Sequence, residues 1–99
     1  MSNEQLFDRF ARLCEIPSPT GSERAIADAV LAELRGLGVE AAEDGTAQAA
    51  RAGAGNLIAC VPGAGESRVM FCAHLDTVPH DGPIEVELAD GVFRSRGET

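Results

Sequence analysis

The sequence contains no lysine, tryptophan or tyrosine, and it has only four phenylalanines. Without these aromatic residues the chain has no large stacking platform for nucleic-acid bases. Its eight basic residues are all arginines, and they are outnumbered by 16 acidic residues, which gives a net charge of −8. Because a chain this acidic repels nucleic acids and anionic membranes, we expect neither as a partner.

Long apolar runs are also missing. No stretch approaches the ~20 apolar residues of a membrane span, and the first ten residues lack the basic region and apolar core of a signal peptide. Cys14, Cys60 and Cys72 are widely spaced and form no Cys-x-x-Cys pair. That spacing argues against a disulfide framework or a zinc ribbon. Together these features predict a cytoplasmic protein whose cysteines are small buried residues.

The composition that is present is typical of a globular protein. Hydrophobic residues make up 44% of the 99 residues and charged residues 24%, which excludes a disordered chain. This length suits one small domain or a piece of a larger one.

Two amphipathic helices are predicted in the first 38 residues. Ser2 and Gln5 are spaced as a capping box before apolar residues at helical spacing. The prolines in Ile16-Pro17-Ser18-Pro19 end this helix. Thr20 and Glu23 repeat the capping-box spacing before a second apolar stripe, and Gly36 and Gly38 mark its end.

The remaining chain reads mainly as strands. Short strands are predicted at 39–43 and 56–61, separated by an Ala- and Gly-rich stretch of weak pattern. The near-continuous apolar run Arg68–Ala73 predicts a central strand buried on both faces. Residues 84–88 alternate, Ala89-Asp90-Gly91 turns and Val92-Phe93 return, which predicts a hairpin. Helices followed by strands indicate an α/β layered domain. Two helices are few to cover both faces of its sheet, so we expect an incomplete fold.

One constellation carries chemical content. In Ala73-His74-Leu75-Asp76-Thr77-Val78-Pro79, an imidazole and a carboxylate follow the predicted central strand, at the sheet edge where α/β proteins bind ligands. Residues two apart on a strand project to the same face. A metal-bound imidazole commonly donates its other N–H to a carboxylate, so His74 is a candidate metal ligand and Asp76 its partner.

Other interpretations of these residues stay open. His74 could be an ordinary hydrogen-bonded residue at a strand end, and His80 an exposed loop residue or a substrate contact. A catalytic pair of Cys72 and His74 is disfavoured, because strand alternation does not supply the necessary contact. Turn and capping preferences account for Ser18, Thr20 and Ser22 without catalysis.

Six segments follow one another in a characteristic order, namely Ile16-Pro17-Ser18-Pro19-Thr20-Gly21-Ser22-Glu23, Leu34-Arg35-Gly36-Leu37-Gly38, Gly55-Asn56-Leu57-Ile58-Ala59, His74-Leu75-Asp76-Thr77-Val78-Pro79, Asp90-Gly91-Val92-Phe93 and Arg96-Gly97-Glu98-Thr99. Through these segments the chain resembles the N-terminal part of the dinuclear-zinc exopeptidases and deacylases, a family that includes peptidase T, carboxypeptidase G and acetylornithine deacetylase. The resemblance is closest to peptidase T-like proteins and spans essentially all of residues 1–99.

The resemblance implies a fold and a chemistry. It implies that residues 1–99 are the N-terminal segment of a layered α/β catalytic domain, with helices packed on a mixed sheet. His74 would be a zinc ligand, and Asp76 the catalytic-site carboxylate that orients it. The intact enzyme would hold two zinc ions, with its other ligands and general base beyond Thr99, together with any lid or dimerisation domain that forms a homodimer.

Three functions follow as competing expectations. The first is a zinc-dependent aminopeptidase that hydrolyses small peptides with a metal-activated water, inactive as the 99-residue chain alone. The second is a zinc amidohydrolase that deacylates N-acyl amino acids. The third is an acidic binding module without enzymatic activity. A zinc titration, thermal melting and comparison of peptide with N-acyl substrates separate them.

Overall fold

A computed structural model describes residues 2–97 of the chain. Three helices and four strands follow one another along the sequence. They are α1 (Asn3–Cys14), α2 (Arg24–Gly36), β1 (Glu40–Glu43), α3 (Ala47–Ala50), β2 (Leu57–Cys60), β3 (Val86–Ala89) and β4 (Val92–Ser95). The strands form two antiparallel two-stranded sheets, β1 with β2 and β3 with β4. None of the helices in this part of the chain is both long and apolar enough to cross a membrane.

The α/β class is confirmed, while the predicted mixed sheet is replaced by the two small antiparallel sheets. Parallel pairing within residues 2–97 is limited to an isolated bridge between Pro19 and Thr77. This bridge joins the loop before α2 to the segment that carries His74 and Asp76. The parallel contact therefore connects two loops instead of building a central strand.

Helix α1 begins with the predicted capping box. The Ser2 hydroxyl accepts a hydrogen bond from the Gln5 amide, and the Gln5 side chain accepts one from the Ser2 amide. The helix packs its aromatic side chains on the second sheet, where the rings of Phe7 and Phe10 lie 5.8 and 4.8 Å from that of Phe93. Aromatic contact thus joins the first helix to the last strand.

The second predicted capping box is wrong. Helix α2 begins after Glu23, and no side chain caps it. The Glu23 carboxylate instead accepts hydrogen bonds from the amides of Gly21 and Gly53. The Glu23 carboxylate, which the local spacing predicted to cap α2, thus accepts a hydrogen bond from the Gly53 amide, 30 residues along the chain.

The core lies between α2 and the first sheet. Its buried apolar residues are Ile26, Ala27, Leu31 and Ala54. Strands β1 and β2 pair from Glu40 with Cys60 to Glu43 with Leu57. At the edge of this core Arg24 contacts both carboxylate oxygens of Glu43, which lowers the pKa of Glu43 to about 2.

The predicted central strand is wrong. Residues 68–73 form no strand, and Val69, Met70 and Phe71 are 78–93% exposed. A strand needs a neighbour that pairs with its backbone, and none of the described strands pairs with this run. The cysteine expectation also fails in part, because Cys60 and Cys72 are exposed and Cys14 is half-buried.

The predicted hairpin is confirmed as β3 and β4, paired from Val86 with Ser95 to Ala89 with Val92. Its two turn residues, Asp90 and Gly91, both have positive φ, 52° and 73°. This is the backbone geometry that matches the twist of a two-residue hairpin, and Asp-Gly adopts it readily. A side-chain bond from the end of α1 holds the hairpin, since Glu15 accepts from the Val86 amide at 2.9 Å.

Candidate functional site

His74 and Asp76 lie together at the surface. Nδ1 of His74 is 2.7 Å from the backbone oxygen of Asp76 and 3.1 Å from its carboxylate Oδ1. The His74 side chain is 83% exposed, whereas that of Asp76 is 36% exposed. The contact that the sequence predicted is therefore present. Residues 74–76 are not part of a strand, so the contact does not come from two side chains sharing a face of a strand.

The backbone oxygen decides how the neutral imidazole is protonated. A carbonyl oxygen can only accept a hydrogen bond, so the proton of the neutral ring belongs on Nδ1. Nε2 is then an unprotonated nitrogen with an available lone pair. Within residues 2–97 it has no hydrogen-bond partner and belongs to an exposed side chain. This is the arrangement in which a histidine binds a metal through one nitrogen while the other is held.

The second carboxylate oxygen of Asp76 is held from another part of the chain. The Thr20 hydroxyl donates to Oδ2 at 2.6 Å. This hydrogen bond, together with that from His74, lowers the pKa of Asp76, while partial burial opposes the shift. Asp76 is therefore a carboxylate at neutral pH, with one oxygen directed to the ring and the other to the threonine.

The loop before α2 positions Thr20. The Thr77 amide donates to the Ser18 carbonyl at 2.8 Å, and the Thr20 amide donates to the Thr77 carbonyl at 3.3 Å. Two backbone bonds and one side-chain bond thus join residues 18–20 to residues 76–77. Prolines favour an extended backbone at the residue before them, and a bridge at Pro19 pairs this segment with Thr77.

Glu23 anchors the other side of the same loop. It is one of two buried polar residues among those described, with 9% of its surface exposed, and it accepts from Gly21 at 2.5 Å and Gly53 at 2.7 Å. These two amides lower its pKa, against burial and the nearby charge of Asp76. Gly53 has no room for a side chain, since a Cβ there would lie 2.8 Å from the Glu23 amide nitrogen.

The arrangement leaves one imidazole nitrogen available to a metal and does not form a complete metal centre within the described residues. In residues 2–97, no three His, Cys, Asp or Glu side chains are grouped so that they could hold a metal ion. Zinc in a catalytic centre takes about three protein ligands and a water. His74 fits one of those positions, with Asp76 behind it as the carboxylate that holds Nδ1–H.

The other candidates lie apart from this pair. His80 is only partly exposed, and its Nδ1 lies 2.8 Å from the Gly82 carbonyl oxygen. Cys72 is exposed and has no hydrogen bond to His74. Sequence reasoning missed the contribution of Thr20 and Glu23, which it assigned to helix capping. Only their place in the quoted segment Ile16–Glu23 singled them out.

No family model matches the chain. It is 34% identical over 97 residues to a Pyrococcus furiosus protein named for LysW-lysine and LysW-ornithine hydrolysis, a match that covers 98% of this chain and 26% of that protein. It is 36% identical over 89 residues to succinyl-diaminopimelate desuccinylase of Corynebacterium glutamicum, covering 87% of this chain and 22% of that protein.

A solved structure extends the likeness to the fold. Aminopeptidase PepT from Bacillus cereus superimposes with a TM-score of 0.88 at 32% identity, over 99% of this chain and 27% of that chain. The α/β fold of this chain is thus that of a segment of aminopeptidase PepT. Over 87–99% of its length the chain is similar to parts of hydrolases of the peptidase and deacylase kind, and its structural likeness is to aminopeptidase PepT. The chain spans about a quarter of the length of the relatives it matches, since the matches cover 22–27% of those proteins.

Proposed function

We propose that this chain contributes a zinc-binding histidine and its orienting carboxylate to an enzyme that hydrolyses peptide or amide bonds. The single observation that carries the proposal is the contact of His74 Nδ1 with both the backbone oxygen and the carboxylate of Asp76. It leaves Nε2 of the neutral ring free to bind a cation. Likeness to these relatives supports hydrolysis as the reaction, because they carry the names of hydrolases.

Zinc supplies a Lewis acid and an activated water to such a reaction. The contribution of this chain would be to hold the ring of His74 in place, with Asp76 fixing the proton on Nδ1. Since zinc needs about three protein ligands, we propose that the others, and the general base, come from outside residues 2–97. Two zinc ions per site and inactivity of the 99-residue chain alone are parts of the same proposal. A peptide substrate, a homodimer and a cytoplasmic location also remain proposals.

The proposed substrate is a small peptide with a free amino terminus. Its support is the structural likeness to aminopeptidase PepT. A second candidate is removal of an acyl group from an N-acyl amino acid, which is favoured by the likeness to a desuccinylase. Both reactions break an amide bond, so the His–Asp pair serves either one. The hydrolase names of the relatives favour both over a non-enzymatic binding module.

The test uses the complete protein with His74→Ala, and His80→Ala as the matched histidine control. We expect His74→Ala to lower bound zinc, measured by elemental analysis, and to reduce hydrolysis by at least ~100-fold, because the site loses a ligand. His80→Ala should keep the zinc content. Full zinc occupancy and full activity in His74→Ala would refute the proposal.

Rate measurements on the same protein preparation distinguish the two candidate substrates. Initial rates on di- and tripeptides are compared with those on N-succinyl and N-acetyl amino acids of matched side chain. Faster cleavage of the peptides supports the aminopeptidase assignment. Faster cleavage of the N-acyl compounds supports the deacylase instead.

A further inference from the structure

We propose that Thr20 is a positioning residue for the metal ligand: its hydroxyl fixes the Asp76 carboxylate so that the other oxygen holds the His74 ring for zinc. This inference rests on the proposed function of His74. It adds a residue 54 positions earlier in the chain to the site, counted from His74 to Thr20.

The geometry assigns one task to each oxygen of Asp76. Oδ1 is 3.1 Å from Nδ1 of His74, and Oδ2 accepts from the Thr20 hydroxyl at 2.6 Å. A carboxylate bonded at both oxygens cannot rotate freely about its last torsion. Without the hydroxyl, a side chain 36% exposed could turn its oxygens toward water. The orientation of the ring would then rest on the backbone oxygen of Asp76 alone.

Thr20 is itself held in place by backbone bonds. The bonds from the Thr77 amide to the Ser18 carbonyl and from the Thr20 amide to the Thr77 carbonyl hold the two loops together next to the side-chain contact. Ser18 is buried, with 3% of its surface exposed. The hydroxyl therefore approaches Asp76 from an ordered backbone, and the bond costs little additional side-chain ordering.

Glu23 gives the loop a second attachment. By accepting from both Gly21 and Gly53 it ties the residue next to Thr20 to the loop before β2. The amide of Gly53 and the hydroxyl of Thr20 therefore act at opposite ends of one short segment. That segment is attached to the loop before β2 on one side and to the His–Asp loop on the other.

The consequence is a measurable effect on zinc affinity. Groups that hold a metal-bound histidine from behind typically change metal affinity by about 10–100-fold when removed. Thr20 acts one bond further out, through Asp76, so we expect a loss of about tenfold. It touches neither the metal nor the reacting atoms.

The experiment measures zinc affinity by competition with a chromophoric chelator, using the complete protein. Thr20→Val keeps the shape of the side chain and removes the hydroxyl, and we expect it to weaken zinc binding about tenfold. Thr20→Ser restores the donor and should bind zinc within about threefold of the native protein. The affinity is measured at one fixed neutral pH, so no titration enters the comparison.

The chain offers a matched control in Thr46. Its hydroxyl also donates to an aspartate, Oδ1 of Asp44, at the same distance of 2.6 Å, but in the turn after β1. Thr46→Val should leave zinc affinity unchanged. If thermal melting shows that both valine variants lose similar stability, a loss of affinity confined to Thr20→Val is due to position and not to general weakening.

Each remaining outcome is decisive. Native zinc affinity in a folded Thr20→Val protein overturns the inference. Failure of both Thr20→Val and Thr20→Ala to fold also overturns it, because the threonine would then be required for folding. If His74→Ala binds zinc normally, the proposed function itself has failed. If His74→Ala loses zinc while Thr20→Val retains it, only the role of Thr20 is wrong.

Discussion

Two parts of the chain are apolar to a similar degree, yet only one of them is built into the fold. The unit formed by α2, β1 and β2 buries Ile26, Ala27 and Leu31 and pairs its strands. The segment 61–73 contains Val61 and Phe71 with 79% and 93% of their surfaces exposed, and no strand. Hydrophobicity alone therefore does not decide burial; a covering face and a strand partner do.

The ion pairs of charged residues also differ between these two parts of the chain. In the first unit, Arg24 contacts both Asp28 and Glu43, and Glu43 also accepts from the Gly55 amide at 2.9 Å. In the segment 61–73, Arg68 and Glu66 have no hydrogen bond or ion pair within the described residues. The side-chain polar contacts of Arg24 and Glu43 therefore lie in the unit whose strands are paired.

The largest effect should come from the core of the first unit. Leu31→Ala removes a side chain only 7% exposed, and we expect it to lower the free energy of unfolding by about 2–4 kcal/mol. Phe71→Ala removes a larger side chain that is 93% exposed and should cost less than about 0.5 kcal/mol. Denaturant unfolding of the 99-residue chain measures both. Equal losses would show that segment 61–73 is packed in solution.

A pair of glycines gives the next largest contrast. At Gly55 an added Cβ would overlap the Asp44 carbonyl oxygen, whereas at Gly63 it would meet nothing within 4 Å. Gly55→Ala should therefore destabilise the chain by about 1–3 kcal/mol. Gly63→Ala should leave the chain as stable or slightly more stable, because alanine restricts the unfolded state. Thermal melting of the two variants checks the difference, and a harmless Gly55→Ala would contradict the close approach.

The smallest effect concerns the pH dependence of stability. Arg24 and the Gly55 amide lower the pKa of Glu43 to about 2, from a usual value of 4.5. A lowered folded-state pKa stabilises the protein above pH ~4.5. That stability is lost as the pH falls from there toward ~2. Glu43→Gln should therefore flatten the fall of melting temperature over this range.

The control for the pH experiment is Glu66→Gln, which removes a carboxylate from segment 61–73. Its melting temperature should follow that of the native chain across the same pH range. If Glu43→Gln also follows the native curve, the ion pair with Arg24 contributes nothing to stability in solution.

Much of the local structure could be predicted because its causes lie within a few residues. The capping box at Ser2, the prolines that end α1 and the Asp90-Gly91 turn each act over two to four positions. The run at 68–73 could not be predicted, because strand formation requires a partner strand. The pattern of apolar residues in the run shows which side chains could be buried, but it does not show whether another strand pairs with its backbone.

The site divides in the same way. His74 and Asp76 are two residues apart, so their spacing alone predicted contact. Thr20 meets Asp76 across 56 positions and Glu23 meets Gly53 across 30. Their spacing at 20 and 23 matched a helix cap, which is the common local use of such residues. The hydrogen bonds that these two side chains form instead join residues far apart in the chain, so no short sequence pattern predicts them.

Residue order by itself determined helices α1 and α2 but not α3, and it determined the hairpin, the acidic charge and the neighbouring imidazole and carboxylate, because each of these depends on backbone preferences or on side chains close in the chain. Only the tertiary structure decided that the proline-rich loop lies against residues 76–77, that Thr20 holds Asp76, and that the apolar run at 68–73 is exposed. Those outcomes depend on which distant segments meet. The free energy of a contact between two segments depends on the side chains of both, and the sequence of one segment specifies only its own side chains.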